Sequence, residues 1–243
     1  MIGEDCQLVY NCPMTDTKTV LTNCPLFSGF PAKAFEDLAA IARIRRFDAD
    51  ELIYSRGSAT STLNVIASGV VRISSVNPAG REATLIMFSA GTWFGDSVFS
   101  PGMKRVYGAT AHETATLIEI PGDAFRQLMA TYPQCYPVIL DMVSRRLWAA
   151  MSIIEDDALR GIAARIGRRL LFLAEIQGNG EAGADPVTIW ITREHIANMM
   201  GMTRQGVHKW IKDFERRGLL TLGYGRIVLN DPAALQRHLA TID

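Results

Sequence analysis

The chain has 243 residues, 48% hydrophobic and 21% charged, with 25 Lys and Arg balanced by 25 Asp and Glu. Such a balance supports a packed core and excludes wholesale disorder, and the length suits one large or two modest domains. No run of about 18 apolar residues occurs, so no membrane-spanning helix is expected.

Charge is spread unevenly. Met1 to Ala158 carries 13 Lys and Arg against 17 Asp and Glu, whereas Leu159 to Asp243 carries 12 against 8. A basic C-terminal third beside an acidic remainder suggests a polyanionic partner for that third. At the N-terminus, Glu4 and Asp5 stand where a secretory leader needs positive charge, so a cytoplasmic location with four reduced cysteines is expected.

Residues 1–24 are polar, hold Cys6, Cys12 and Cys24, show no clear period, and read as a loosely ordered extension. Phe35 to Ile44 has helical spacing, with Phe35, Leu38, Ile41 and Ala42 on one side. From Leu52 to Gly122, short apolar runs (LIYS, TLNVIAS, VVRISS, ATLIMFS, ATLIEI) alternate with glycines. Short strands broken by turn glycines predict an antiparallel β-roll or barrel. After Pro137, the residues Leu140, Val143, Leu147, Met151 and Ile154 recur every three or four positions and predict a long dimerisation helix, with Arg145 and Arg146 solvated off the seam. Asp156 and Asp157 are expected to cap a new helix over LRGIAARIGRRLLFLAE, and QGNGEAGADP (177–186) to form a loop.

The stretch TREHIANMMGMTRQGVHKWIKDFERRGLL, residues 192–220, carries the strongest local signal. Thr192 is placed to cap one helix and Thr203 a second, and Gly201 between them supplies a left-handed turn. Val207, Trp210, Ile211 and Phe214 form a buried stripe on the second helix. Gln205, His208, Lys209 and Lys212 then share the opposite face, with Arg204 in the first turn. LLTLGYGRIVLND reads as a hairpin turning at Gly223–Gly225, with Arg226 just beyond the turn. A helix-turn-helix followed by a hairpin is a winged helix, and its outward face is expected to meet base edges in a DNA major groove.

In this order, the spaced glycines, SGVVRISSVNPAGREATL, GTWFGD and the helix-turn-helix make the chain resemble the cAMP receptor protein/FNR family of bacterial transcription regulators, from about Cys24 to Asp231. The resemblance implies an α+β chain. An extension (1–24) precedes a double-stranded β-helix sensor of the cyclic-nucleotide-binding kind (25–132), a dimerisation helix (133–156) and a winged helix-turn-helix (157–243). It implies a homodimer on a two-fold double-stranded DNA operator, RNA polymerase as a partner, and no membrane. It assigns Thr192 and Thr203 to capping and phosphate contact, Arg204 to guanine, and Gln205 and Lys209 to positions where well-known members carry glutamate and arginine. Gln205 suits adenine better than cytosine. Arg226 is assigned to a phosphate.

For the sensor, the resemblance matches Gly95–Asp96 and Arg105–Val106 to the glycine–glutamate and arginine–serine pairs that hold ribose and cyclic phosphate. It matches Ala150 and Met151 to two polar residues that meet adenine. Asp96 is one methylene short, Val106 lacks the hydroxyl, and Ala150 and Met151 cannot donate to a purine. The effector is therefore left open between a cyclic nucleotide and another small molecule. The alternatives are an FNR-like oxygen-sensing iron–sulfur cluster on Cys6, Cys12, Cys24 and Cys135, or regulation without a ligand. His112, His195, His208 and His238 show no metal spacing, and no phosphate-binding loop, Gly-x-Ser-x-Gly elbow or Cys-x-x-Cys occurs. No enzymatic activity is expected.

Overall fold

In the computed structural model, residues 16–59, 61–80, 82–177 and 186–242 are described. Helix α1 (Thr17–Thr22) opens the described chain, capped by Asp16, so part of the expected loose extension is ordered. Its Val20 and Leu21, with Cys24 just after it, are buried. Helix α2 (Ala32–Ile41) ends three residues before Ile44, because Arg43–Phe47 already forms strand β1.

The first four apolar runs become β2 (Leu52–Tyr54), β3 (Thr62–Ser68), β4 (Val70–Val76) and β5 (Glu82–Ser89), and the fifth, ATLIEI, falls in the last strand of the roll. Strands β6 (Trp93–Phe94), β7 (Gly108–Ala111) and β8 (Ala115–Pro121) complete the roll. Two four-stranded antiparallel sheets result, in the orders β1-β8-β3-β6 and β2-β7-β4-β5. Their inner faces share one core of Phe47, Ile66, Phe94 and Leu117 from the first sheet and Tyr54, Val71, Ile73 and Phe88 from the second. Strand β3 is buried on both sides. Its Leu63 and Val65 pack outward against α1, α2 and helix α3 (Gly122–Thr131), through Leu21, Leu38 and Phe125.

Helix α4 (Tyr136–Leu159) runs three residues past the expected boundary. Asp156 and Asp157 therefore do not cap the next helix. They lie in the last turn of α4, where carboxylates oppose the helix dipole. Cations drawn from across the junction offset this: Arg165 bonds Asp157 at 2.8 Å, and Arg168 approaches Asp156 at 3.5 Å. The break comes instead at Arg160, whose extended backbone (ψ 150°) precedes α5 (Ile162–Gln177). Leu140, Val143, Leu147, Met151 and Ile154 are all exposed, by 37–61%, and Ile139 is the buried residue of α4. An apolar stripe left this open is a face that needs a partner.

The last part comprises β9 (Val187–Ile189), α6 (Arg193–Met200), α7 (Arg204–Arg216), β10 (Leu220–Gly223), β11 (Arg226–Leu229) and α8 (Pro232–Leu239). Strand β11 lies between β10 and β9. Ile166, Leu170, Ile196, Val207, Ile211, Phe214, Ile227 and Leu235 form its core, and Val70 and Met87 of the roll belong to the same cluster. No described helix is long and apolar enough to cross a membrane. Phe214 is 1% exposed at the centre of this packing. Phe214→Ala is expected to cost about 3–5 kcal/mol by removing a large side chain from a core that cannot fully collapse, read as a lower midpoint in urea unfolding.

Candidate nucleic-acid interface and sensor cleft

Two caps set the angle between α6 and α7. The Thr192 hydroxyl accepts from the His195 amide at 3.2 Å, and the Thr192 amide donates in turn to the His195 ring Nδ1 at 3.4 Å, a reciprocal box at the α6 N-terminus. Gly201 ends α6 at φ +62°, in the left-handed region that disfavours a side chain. Thr203 then accepts from the Gly206 amide at 3.1 Å and starts α7. Val207, Ile211 and Phe214 are buried, whereas Trp210, expected in the same stripe, is half-buried at its edge.

With that stripe fixed inward, Arg204, Gln205, Lys209 and Lys212 are exposed on the other side. His208 departs from the expected outward ridge. It is half-buried, and its Nδ1 lies 2.8 Å from Nη1 of Arg193 on α6. An arginine can only donate, so this Nδ1 accepts and the proton sits on Nε2. Lys212 reaches Glu215 at 2.6 Å, and Asp213 is held by Arg216 and Arg217 at 2.9 and 2.8 Å. The acids nearest the ridge are thus occupied by neighbouring cations.

The wing closes the site. Strands β10 and β11 pair Gly223 with Arg226 around a two-residue turn of Tyr224 and Gly225. Between this hairpin and the helices lies a cleft of 250 Å³ lined by Thr192, Arg193, Arg204, Tyr224 and Arg226 among others. Three guanidinium groups against the single Glu194 make it a seat for an anion.

A second cleft, of 210 Å³, opens in the roll and is lined by Asp96, Ser97, Lys104, Arg105, Val106 and Tyr107, with Ser100 and Met103 at its edge. Gly95 shapes the backbone beside it. At φ +107° a Cβ would stand 2.2 Å from the Thr62 carbonyl oxygen, so only glycine fits. Arg105 is 4% exposed. It donates to the Thr62 carbonyl and hydroxyl at 3.1 and 3.0 Å and stacks 3.6 Å over the Tyr54 ring. Val106 is exposed beside it.

Arg146 contradicts its expected solvated position. Its guanidinium lies 3.3 Å over Trp93, donates to the Trp93 carbonyl, and meets Asp96 at 3.0 Å. Burial pushes its pKa down and Asp96 opposes that shift. It ties α4 to the floor of the cleft, a role hidden from sequence reading because Asp96 is 50 positions away. Ala150 and Met151 do not line the cleft within one chain. They are exposed on α4, Met151 within the open stripe. Cys24 and Cys135 are buried in the core beneath the roll, and burial pushes the Cys24 thiol up to about 12. Cys6 and Cys12 lie outside the described residues.

Residues 44–132 match the cyclic nucleotide-binding domain family, and residues 164–238 match the Crp-like helix-turn-helix domain. The transcriptional regulator LdrP of Thermus thermophilus is 31% identical over 197 residues, 80% of this chain and 96% of that one. The chain belongs to the CRP/FNR family. A CRP-like cAMP-activated global transcriptional regulator of Mycobacterium tuberculosis is 29% identical over 220 residues, covering 90% of this chain and 98% of the relative. The crystal structure of a CRP-family transcriptional regulator from Thermus thermophilus is 27% identical, with a TM-score of 0.59 over 81% of this chain and 96% of that one. This CRP/FNR chain is a DNA-binding transcription regulator.

In a CRP/FNR regulator the sensor must bear on the reader, and here the two touch directly. Gln177 of α5 donates to the Met87 carbonyl of β5 at 3.2 Å and accepts from the Trp190 amide at 2.7 Å. His112, just after β7, meets His195 of α6 edge to face at 4.7 Å. Burial, then His112 and Arg72, push His195 down to about 4, and burial chiefly lowers His112 as well. Burial at this joint thus disfavours the charged form of both rings. Between the ordinary value of 6.5 and about 4, the unfolded chain binds more protons at position 195 than the folded one, so acidification through this window removes stability. The urea midpoint is expected to fall from pH 7 to pH 5, and to fall less in His195→Gln, which keeps an N3 side chain able to complete the cap. An equal fall in both proteins contradicts the assignment.

Proposed function

We infer that the protein acts as a homodimer on a two-fold operator, placing one α7 in each of two successive major grooves about 34 Å apart. The observation that carries this reading is the exposed ridge of Arg204, Gln205 and Lys209, set opposite a buried stripe and beside a three-arginine cleft. Arg204 reads guanine and Gln205 adenine. His208, through its Nε2–H at the edge of the ridge, and Lys209 extend that contact. Thr192, Thr203, Lys212 and Arg226 hold phosphates. The open stripe of Leu140, Val143, Leu147, Met151 and Ile154 supports pairing of two α4 helices. The protein works in the cytoplasm, and RNA polymerase is the partner through which operator binding changes transcription.

Lys104, Arg105 and Arg146 around the sensor cleft support a small organic anion as effector, cyclic nucleotides included. The Mycobacterium tuberculosis relative is cAMP-activated by name. Val106 offers no hydroxyl to such a phosphate, so affinity for cAMP rests on Arg105. Binding gates the DNA-binding domains only through a difference in affinity between their arrangements.

Site selection from random duplexes tests the DNA reading. Arg204→Ala is expected to relax preference at one position per half-site by about 1–3 kcal/mol. Lys212→Ala is expected to weaken all sequences alike and lower the salt slope by about one. Even losses in both would contradict the facing of α7. For the sensor, calorimetric titration with cAMP and cGMP is expected to show Arg105→Ala weakening whichever binds by about ten- to a hundredfold. Unchanged affinity would place the ligand elsewhere.

A further inference from the structure

The rim of the sensor cleft is apolar where a nucleotide site needs polar groups. Met103 and Val106 line it and are 62% and 63% exposed, the two most exposed large hydrophobic side chains among the described residues of the roll. Neither packs into the cores of the roll, so nothing in the fold needs them apolar. Lys104 and Arg105 stand between them, and one short loop therefore presents two cations flanked by two apolar side chains. The Asp96 carboxylate, which a sugar hydroxyl would call on, is engaged by Arg146 at 3.0 Å. Ala150 and Met151 are exposed on α4 and offer no donor to a base.

The charged part of the cleft is built to a different end. Arg105 is fixed by the Thr62 carbonyl and hydroxyl and by the Tyr54 ring, so its guanidinium is held in place before any ligand arrives. Ser97 lines the same cleft, and its hydroxyl is buried with no hydrogen-bond partner. A buried hydroxyl left in that state is costly to the fold and marks a place for a ligand atom. A guanidinium, an ammonium and an unused hydroxyl suit the oxygens of a carboxylate or phosphate. Met103 and Val106 suit a body without polar groups, which gains by leaving water. We propose that the effector is an amphipathic organic anion, one acidic head on a short apolar body. Arg105 and Ser97 hold the head, and Met103 and Val106 cover the body. This rests on the reading that the sensor cleft takes an anionic effector, and it names the class of ligand held there.

The test is calorimetric titration of the full-length protein with linear carboxylates from butanoate to octanoate, with the alkyl phosphates of the same lengths, and with cAMP. In at least one of the two series, affinity is expected to rise about two- to fourfold per methylene. Met103→Ser and Val106→Ser should flatten that rise, weakening the longest member about tenfold and leaving the shortest unchanged. Ser97→Ala should instead weaken every member alike, by about tenfold or more, and keep the rise. Affinity independent of chain length in both series overturns the proposal, as does cAMP binding more tightly than every member of either series. Arg105→Ala separates the two readings. A rise with chain length that survives Arg105→Ala puts the ligand outside this cleft and overturns both. Binding that is lost in Arg105→Ala, yet shows no such rise, keeps the anion site and overturns the ligand class alone. Met103 and Val106 are exposed, so their substitution does not put folding at risk.

Discussion

The architecture turns on the burial of one face of α7. Val207, Ile211 and Phe214 are locked into a core shared with α5, α6 and the wing sheet, and this fixes the rotation of the helix about its own axis. Once that rotation is set, Arg204, Gln205 and Lys209 have no choice but to face outward. Thr203 and Gly201 set the entry angle and the Thr192–His195 box sets that of the preceding helix, so the ridge is presented by a rigid support and not by a loop. Base readout depends on such support, because a bidentate contact tolerates little misplacement.

The same packing extends into the sensor. Val70 and Met87 complete the reader's core, Gln177 bonds across the boundary, and His112 abuts His195, the residue that closes the α6 cap. On the far side of the roll, Arg146 joins α4 to Asp96 and Trp93 beneath the cleft. A ligand in the cleft thus lies next to the helix that carries the open apolar stripe, while the opposite sheet lies next to the recognition motif. Coupling needs two arrangements that a ligand binds unequally. These joints are the contacts that would have to differ between them.

Much of this was legible from residues near each other in the chain. Caps, the turn glycine and the apolar stripe of the helix-turn-helix are patterns within four positions, and β2 to β5 and β8 were marked by short apolar runs between glycines, whereas β6 and β7 were not. What sequence reading missed was set by distant partners. Arg146 read as a solvated arginine because Asp96 and Trp93 lie some 50 positions away. His112 and His195 read only as histidines without metal spacing, because they come from different domains. Asp156 and Asp157 carry a strong capping preference, yet Arg165 and Arg168 hold them at the end of α4 instead. His208 is turned to the edge of the ridge by Arg193. The contact with a distant side chain, in each case, overrode the local rule.

The most direct measurement of whether α7 reads base edges is methylation protection at guanine N7 on a selected operator, since N7 lies in the major groove. Protection of guanines in two major grooves one helical turn apart, lost at one position per half-site in Arg204→Ala, is the predicted result. Uniformly reactive N7 atoms on a duplex whose backbone is nonetheless shielded by the bound protein would contradict it.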